Sequence, residues 1–167
     1  MEFKVDSTQG YTPKIGHLIS MMNYARYTTL QAVKGLSTKE LDFLPSEDGN
    51  SIGALLLHIA AVEVGFQIEI FENRRPNEEE AAEWGAAYEL GEQGRQEIKG
   101  NSLEFYIQKL DEVRNRTLEE FQKRDDEWLY EERLWDNHNS NHYFIWFHVF
   151  EDEINHRGQM RIIRKML

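Results

Sequence analysis

Apolar residues recur at helical spacing, about one per 3.6 positions, in four long stretches of the chain. In the first, Ile15, Leu18, Ile19, Met22, Ala25, Thr29, Leu30 and Val33 share a face. Thr12-Pro13 reads as an N-cap with proline at the first helical position, and Gly35 as a stop, so a helix is predicted from Pro13 to about Lys34. Ser51 caps a second helix, Ile52 to about Asn73, whose early part is apolar on nearly all sides and so predicts burial between neighbours. Ala54, Ala61 and Gly65 leave room on its flank for another helix. Ser102 caps the third, Leu103 to about Arg124, with Tyr106, Ile107, Leu110, Val113, Thr117, Leu118 and Phe121 at the same period. The fourth runs from Tyr143 to Lys165, with Phe144, Ile145, Val149, Met160, Ile162 and Ile163 on one broad core-facing stripe.

The connections are equally legible as breaks. Met1 to Tyr11 is expected to be an extended arm. Leu36 to Asn50 holds a capping box, Ser37 to Glu40, and then the turn signal of Pro45 and Asp48-Gly49-Asn50. In Arg74 to Gly100, Pro76-Asn77 and the three glutamates after them suit a helix start, predicting a short helix over Glu78 to Glu89 with a solvated acidic face. Gly91, Gly94 and Gly100 break the remainder of that connection. Asp125 to Asn141 carries Trp128, Tyr130, Leu134 and Trp135, which predict that it folds back over one end of the molecule. His138 and His142 read as exposed loop histidines. The pattern predicts one all-α domain over residues 1–167, a four-helix bundle with long crossover connections.

Composition narrows the function. Apolar residues make up 40 % of the 167 positions and charged residues 29 %, an ordinary globular balance. The formal charge of −11 argues against a partner that presents phosphates, whether nucleic acid or an anionic membrane surface. No run approaches the roughly 18 apolar residues of a membrane span, and the N-terminus lacks a signal core, so a cytoplasmic address is expected. The chain has no cysteine. A metal must therefore be held by nitrogen and oxygen, and thiol chemistry must use a thiol from outside.

The chemistry lies inside the fourth helix's apolar stripe. His148, Asp152, His156 and Gln159 fall on it, and burying them costs free energy unless they are paired. Asp152 and His156 are one turn apart and can grip one object. A divalent ion such as zinc, nickel, manganese or iron takes imidazole and carboxylate ligands. The third ligand must come from a facing helix, and His58, in the middle of the second apolar helix, is the candidate. Three protein ligands leave a coordination position open for water or substrate. His148 is assigned a supporting or proton-transfer role, and Asn155 and Gln159 the orientation of a ligand by hydrogen bonding. Glu63 and Glu69 read as solvated or supporting, His17 as a partly exposed helix residue, and Arg157 as structural. Glu153 to His156 forms an ExxH string of the kind found in di-iron bundles, but no second one exists. Trp146, Phe150 and Ile154 lie on the helix's other side, where a second subunit or the aromatic loop would cover them, so a homodimer is expected.

Two strings carry a family resemblance. HVFEDEINHRGQM resembles the terminal-helix signature of the DinB-like (damage-inducible, YfiT-related) four-helix-bundle superfamily, and SIGALLLHIAAVE resembles its second-helix signature. The resemblance spans nearly the whole chain. It implies an up-down-down-up bundle, often dimeric, with one divalent ion on three histidines. It also implies chemistry of the kind seen in relatives that transfer low-molecular-weight thiols such as bacillithiol, or in mycothiol-dependent maleylpyruvate isomerase. His58 matches the first histidine of that set and His156 the last. Asp152 stands where many members have the middle histidine, a departure that lowers the site's net charge. Three readings are open: a metal-dependent transferase of a small-molecule thiol, a non-catalytic bundle in which Asp152 bonds the histidines, and a small-ligand binding module.

Overall fold

The computed structural model describes residues 3–167. It is built on four long helices. Helix α1 spans Pro13–Val33, α3 Ile52–Phe66, α6 Leu103–Phe121 and α7 His142–Arg164. Short helices α2 (Thr38–Leu41), α4 (Glu78–Glu89) and α5 (Gly91–Glu97) lie in the connections. Helix α1 packs on α7, α3 packs on both α6 and α7, and α4 lies along α3. The result is the expected all-α four-helix bundle.

The expected caps form at most helix starts. Ser51 accepts from Ala54 N, Ser102 from Phe105 N and Asn77 from Glu80 N, while Ser37 and Asn77 complete full capping boxes with Glu40 and Glu80. Helix α1 departs from expectation. Thr12 gives its side chain to Asp126 Oδ1 at 2.6 Å instead of capping, and the same carboxylate oxygen accepts from Lys14 N and Ile15 N at 2.9 and 3.1 Å. The α1 cap is thus supplied from the far end of the chain. Near it the N-terminal arm crosses so close to α1 that a Cβ at Gly16 would run into the Thr8 backbone nitrogen. Met1 and Glu2 of that arm lie outside the described residues.

Helix α3 continues through a wider π-helical turn, Gln67–Phe71, so the predicted second helix is one segment with a change of pitch. Together the 20 residues Ile52–Phe71 have a mean hydropathy of 1.7, long and apolar enough to cross a membrane by composition alone. This corrects the expectation that no stretch approaches a span. Their apolar surface is used inside the bundle, where 72 % of the span-length window is buried.

The long aromatic connection holds structure that the helical period does not reveal. After a 3-10 turn at Trp128–Tyr130, strands β1 (Glu132–Trp135) and β2 (His138–Asn141) form an antiparallel hairpin, Trp135 opposite His138. Asp136 and Asn137 both have positive φ, +49° and +60°, the backbone of a two-residue hairpin turn. His142 is buried at the start of α7, corrected from an exposed loop position. Its Nδ1 meets the Trp128 carbonyl at 2.8 Å and its ring lies 4.4 Å from that of Trp128.

The stripe on α7 also turns differently from its expected phase. Ile145, Val149, Met160 and Ile163 are buried as expected, but Phe144 is 45 % and Ile162 59 % exposed. Trp146 and Phe150, expected outside, are core residues. Trp146 stacks on Phe71 with centroids 4.8 Å apart and meets Phe121 edge to face at 4.9 Å.

Candidate functional site

His58 stands on α3 and faces Asp152 and His156 on α7. One ligand atom from each of the three lies within 4.8 Å of the others. His156 Nε2 is 3.3 Å from Asp152 Oδ1, and His58 Nε2 is 3.9 Å from Asp152 Oδ2. The two imidazoles meet edge to face with centroids 4.6 Å apart. Donor atoms bound to one zinc-like ion at about 2.0–2.2 Å would stand somewhat closer together than this, so the donors need contract by only about an ångström to hold one.

Orientation is fixed from outside the cluster. His58 Nδ1 lies 2.9 Å from the Ala87 carbonyl at the end of α4. A carbonyl only accepts, so Nδ1 carries the proton and Nε2 turns its lone pair toward Asp152. Burial pushes the His58 pKa down, and the nearby His156 adds to the shift, against the upward pull of the Ala87 carbonyl and Asp152. The imidazole is therefore neutral near pH 7, the form that binds metal. Burial alone would raise Asp152, but the hydrogen bond and charge of His156, with the charges of His58 and His148, hold it below the ordinary carboxylate value. Asp152 Oδ2 and His156 Nδ1 are buried without a hydrogen-bond partner. An anionic oxygen left unpaired between two imidazoles is what a cation would satisfy, so the residues present fit the metal that the resemblance implies.

The supporting residues sort differently from expectation. His148 lies outside the cluster. Its Nδ1 is 3.2 Å from Glu151, and its ring packs between Trp135 of the hairpin and Phe66, 4.9 and 6.0 Å away. Asn155 and Gln159 are exposed and reach neither histidine. Arg157 donates to Thr28 on α1, the structural role expected of it.

Glu63 is the largest correction. Expected to be solvated or to support the metal ligands, it is fully buried. Arg114 on α6 grips it through Nε at 2.8 Å and Nη2 at 3.0 Å, Thr117 donates at 2.7 Å, and Arg26 on α1 lies at 3.4 Å. Arg26 Nε also donates to Glu153 on α7 at 3.0 Å, and Arg114 Nη2 lies 3.6 Å from the other Glu153 oxygen. Each long helix thus contributes one member to a neutral box of two guanidinium and two carboxylate groups. The ExxH string is explained here: Glu153 turns into the box while His156 turns to Asp152. The available signal was weak, an arginine or glutamate at a stripe-compatible position in every long helix. Glu69 is half-exposed and pairs with Arg133 of the hairpin at 2.9 Å.

No curated protein matches the chain. Among solved structures, a DinB-like protein from Bacillus cereus ATCC 10987 superposes with a TM-score of 0.67 at 13 % identity, covering 91 % of each chain. An uncharacterised protein from Escherichia coli UTI89 superposes with a TM-score of 0.60 at 15 % identity, over 89 % of this chain and 91 % of that one. At these identities the likeness establishes the fold. The model of a family described as mycothiol-S-transferase matches residues 17–167. The expected DinB-like assignment holds, and the chain belongs to the mycothiol-S-transferase family.

Proposed function

We propose that the protein transfers a low-molecular-weight thiol to an electrophilic carbon, with one divalent metal held by His58, Asp152 and His156. The observation that carries this reading is the unpaired Asp152 oxygen between two imidazoles, one of them fixed as a neutral Nε2 donor, in a chain of this family. A bound divalent ion would supply Lewis-acid charge that lowers the pKa of a coordinated thiol. The chain's own residues do the rest. Ala87 sets the tautomer of His58. Asp152 contributes negative charge, so the site holds its cation with less net positive charge than three histidines would. Phe66, Trp135 and Phe144 pack around His148 on the side of the hairpin. In the balanced transfer the thiol loses its proton and sulfur bonds to the electrophilic carbon. The displaced group leaves with the bonding electron pair and takes up the proton.

Elemental analysis of the purified protein tests the reading. One equivalent of a first-row divalent metal is expected in the native protein and none in His58→Ala, with thiol consumption tracking metal content. A metal-free native protein whose melting temperature does not respond to added zinc, nickel, manganese or iron would overturn it. The second reading rests on the 3.3 Å approach of Asp152 to His156: a self-contained polar network with no ion, for which the same titration returns no binding. Pairing of two copies through α7 remains part of the proposal. It rests on Phe144, Phe147 and Ile154, since Trp146 and Phe150 are used inside. Sedimentation velocity checks it.

A further inference from the structure

A groove of about 570 Å³ runs between α3 and α4, in the size range of small-ligand sites. Its floor is the α3 face of Ala61, Val64, Gly65 and Ile68, and its other wall is Ala81, Trp84, Gly85 and Tyr88 of α4. One end is closed by Tyr88, which stands between the groove and the metal-ligand cluster. The Tyr88 ring lies 6.5 Å from the His58 ring, and the residue before it supplies the carbonyl that orients His58. Tyr88 can lie against α3 because position 65 is glycine; a Cβ there would already stand 3.2 Å from its ring. The far end is formed by Arg74, Arg75 and Pro76, ahead of α4. Tyr88 lies ten positions after Glu78, the first residue of α4, a rise of roughly 15 Å at about 1.5 Å per residue, and Arg75 lies three residues ahead of that start.

The charges along the groove are unevenly committed. Arg74 is taken by Glu72 at 2.6 Å and by both oxygens of Glu80 at 2.6 Å, and Glu69 is taken by Arg133. Arg75 makes no ion pair with its guanidinium among the described residues, so the far end presents an unspent cation. Glu89 and, beyond Tyr88, Asp152 place negative charge at the cluster end. A ligand with an apolar body and one carboxylate therefore has one favourable direction: acid to Arg75, uncharged end to Tyr88 and the cluster.

We propose that this groove takes the electrophilic acceptor, and that the acceptor is a slender apolar molecule bearing a carboxylate at the end remote from its reactive carbon. Its identity as acceptor rests on the thiol-transfer reading, while its binding does not. Decanoate, decanol and decylamine are the probes, titrated by calorimetry into full-length protein freed of metal with a chelator. Decanoate is expected to bind with one-to-one stoichiometry and decylamine not at all. Arg75→Ala should weaken decanoate about tenfold or more while leaving decanol unchanged. Ala81→Trp, which fills the groove from an exposed position, should abolish both. Absence of decanoate binding, equal binding of decylamine, or an Arg75→Ala affinity equal to the native value would each overturn the proposal. Because neither metal nor thiol is present, these failures leave the metal titration intact, and failure of that titration leaves the groove result intact.

Discussion

Two buried polar clusters share helices α3 and α7, the first drawing further members from α1 and α6, and they are built in opposite ways. Glu63 and Glu153 face Arg26 and Arg114 with opposite charges balanced. Arg114 Nη1 and Glu153 Oε2 lack a hydrogen-bond partner too, but each lies among opposite charges of the box, whereas Asp152 Oδ2 and His156 Nδ1 lack one in a cluster whose only neighbouring bases, among the described residues, are imidazoles. The first cluster spends its bonds on holding four helices in register. The second leaves donor capacity facing inward, where a ligand can use it. Buried polar groups are therefore a guide to function mainly when no permanent opposite charge in the fold accounts for them.

The largest expected effect separates the two directly. Glu63→Gln leaves Arg114 and Arg26 buried opposite an uncharged amide and should destabilise by about 3–5 kcal/mol in urea unfolding. His58→Ala in metal-free protein should cost only about 1 kcal/mol, mostly the hydrogen bond to Ala87. Equal losses would erase the distinction. Replacing the whole box together (R26M, E63L, R114M, E153L) should be neutral or stabilising by about 1–4 kcal/mol if its role is register and not net energy.

Metal sharpens the contrast from the other side. At a free ion concentration a hundred times Kd, the native protein should gain about 2.7 kcal/mol, seen as a higher melting temperature that a chelator reverses. Glu63→Gln should keep that increment and His58→Ala should lose it.

Acid gives a smaller, one-sided signal. Burial alone would raise Glu63, but Arg114 and Arg26, with the Thr117 hydrogen bond, hold it below its ordinary value of 4.5. A carboxylate depressed in the fold contributes stability that is complete above that ordinary value and lost as pH falls through the folded one. Native stability should therefore fall below pH 4.5, and Glu63→Gln should flatten that limb of the urea-midpoint profile. The smallest effect concerns His142, whose pKa burial pushes below 6.5 against the pull of the Trp128 carbonyl. Its contribution is present above pH 6.5 and fades as pH falls through the folded value. His142→Phe should remove that gentle slope and leave the metal response untouched.

The clusters also differ in how visible they were beforehand. Asp152 and His156 are one turn apart on one helix and sit among apolar residues, so local spacing alone exposes them, and His58 stands out as the polar residue in the middle of a facing apolar helix, with the family likeness matching it. The box has one member per helix, and Arg and Glu at helix surfaces are solvated by default. Only tertiary packing reveals that Arg26, Glu63, Arg114 and Glu153 meet. Helix ends were legible from Ser51, Asn77 and Ser102 because capping is local chemistry. The α1 cap was not, because Asp126 arrives from more than a hundred residues away. The hairpin was hidden because aromatics at Trp128 and Trp135 speak for burial without giving a period. Asp136-Asn137 was the one local cue to its turn.

The widened turn at Gln67–Phe71 carries a consequence for the residues beyond it. A π-bulge adds about one residue to a helical turn, so it rotates everything beyond it by roughly a quarter circle. That offset brings Phe71 among Phe121, Trp128 and Trp146 while Gln67 reaches the Val113 carbonyl and Thr117. A helix of regular pitch through these residues would present a different side chain to the aromatic cage.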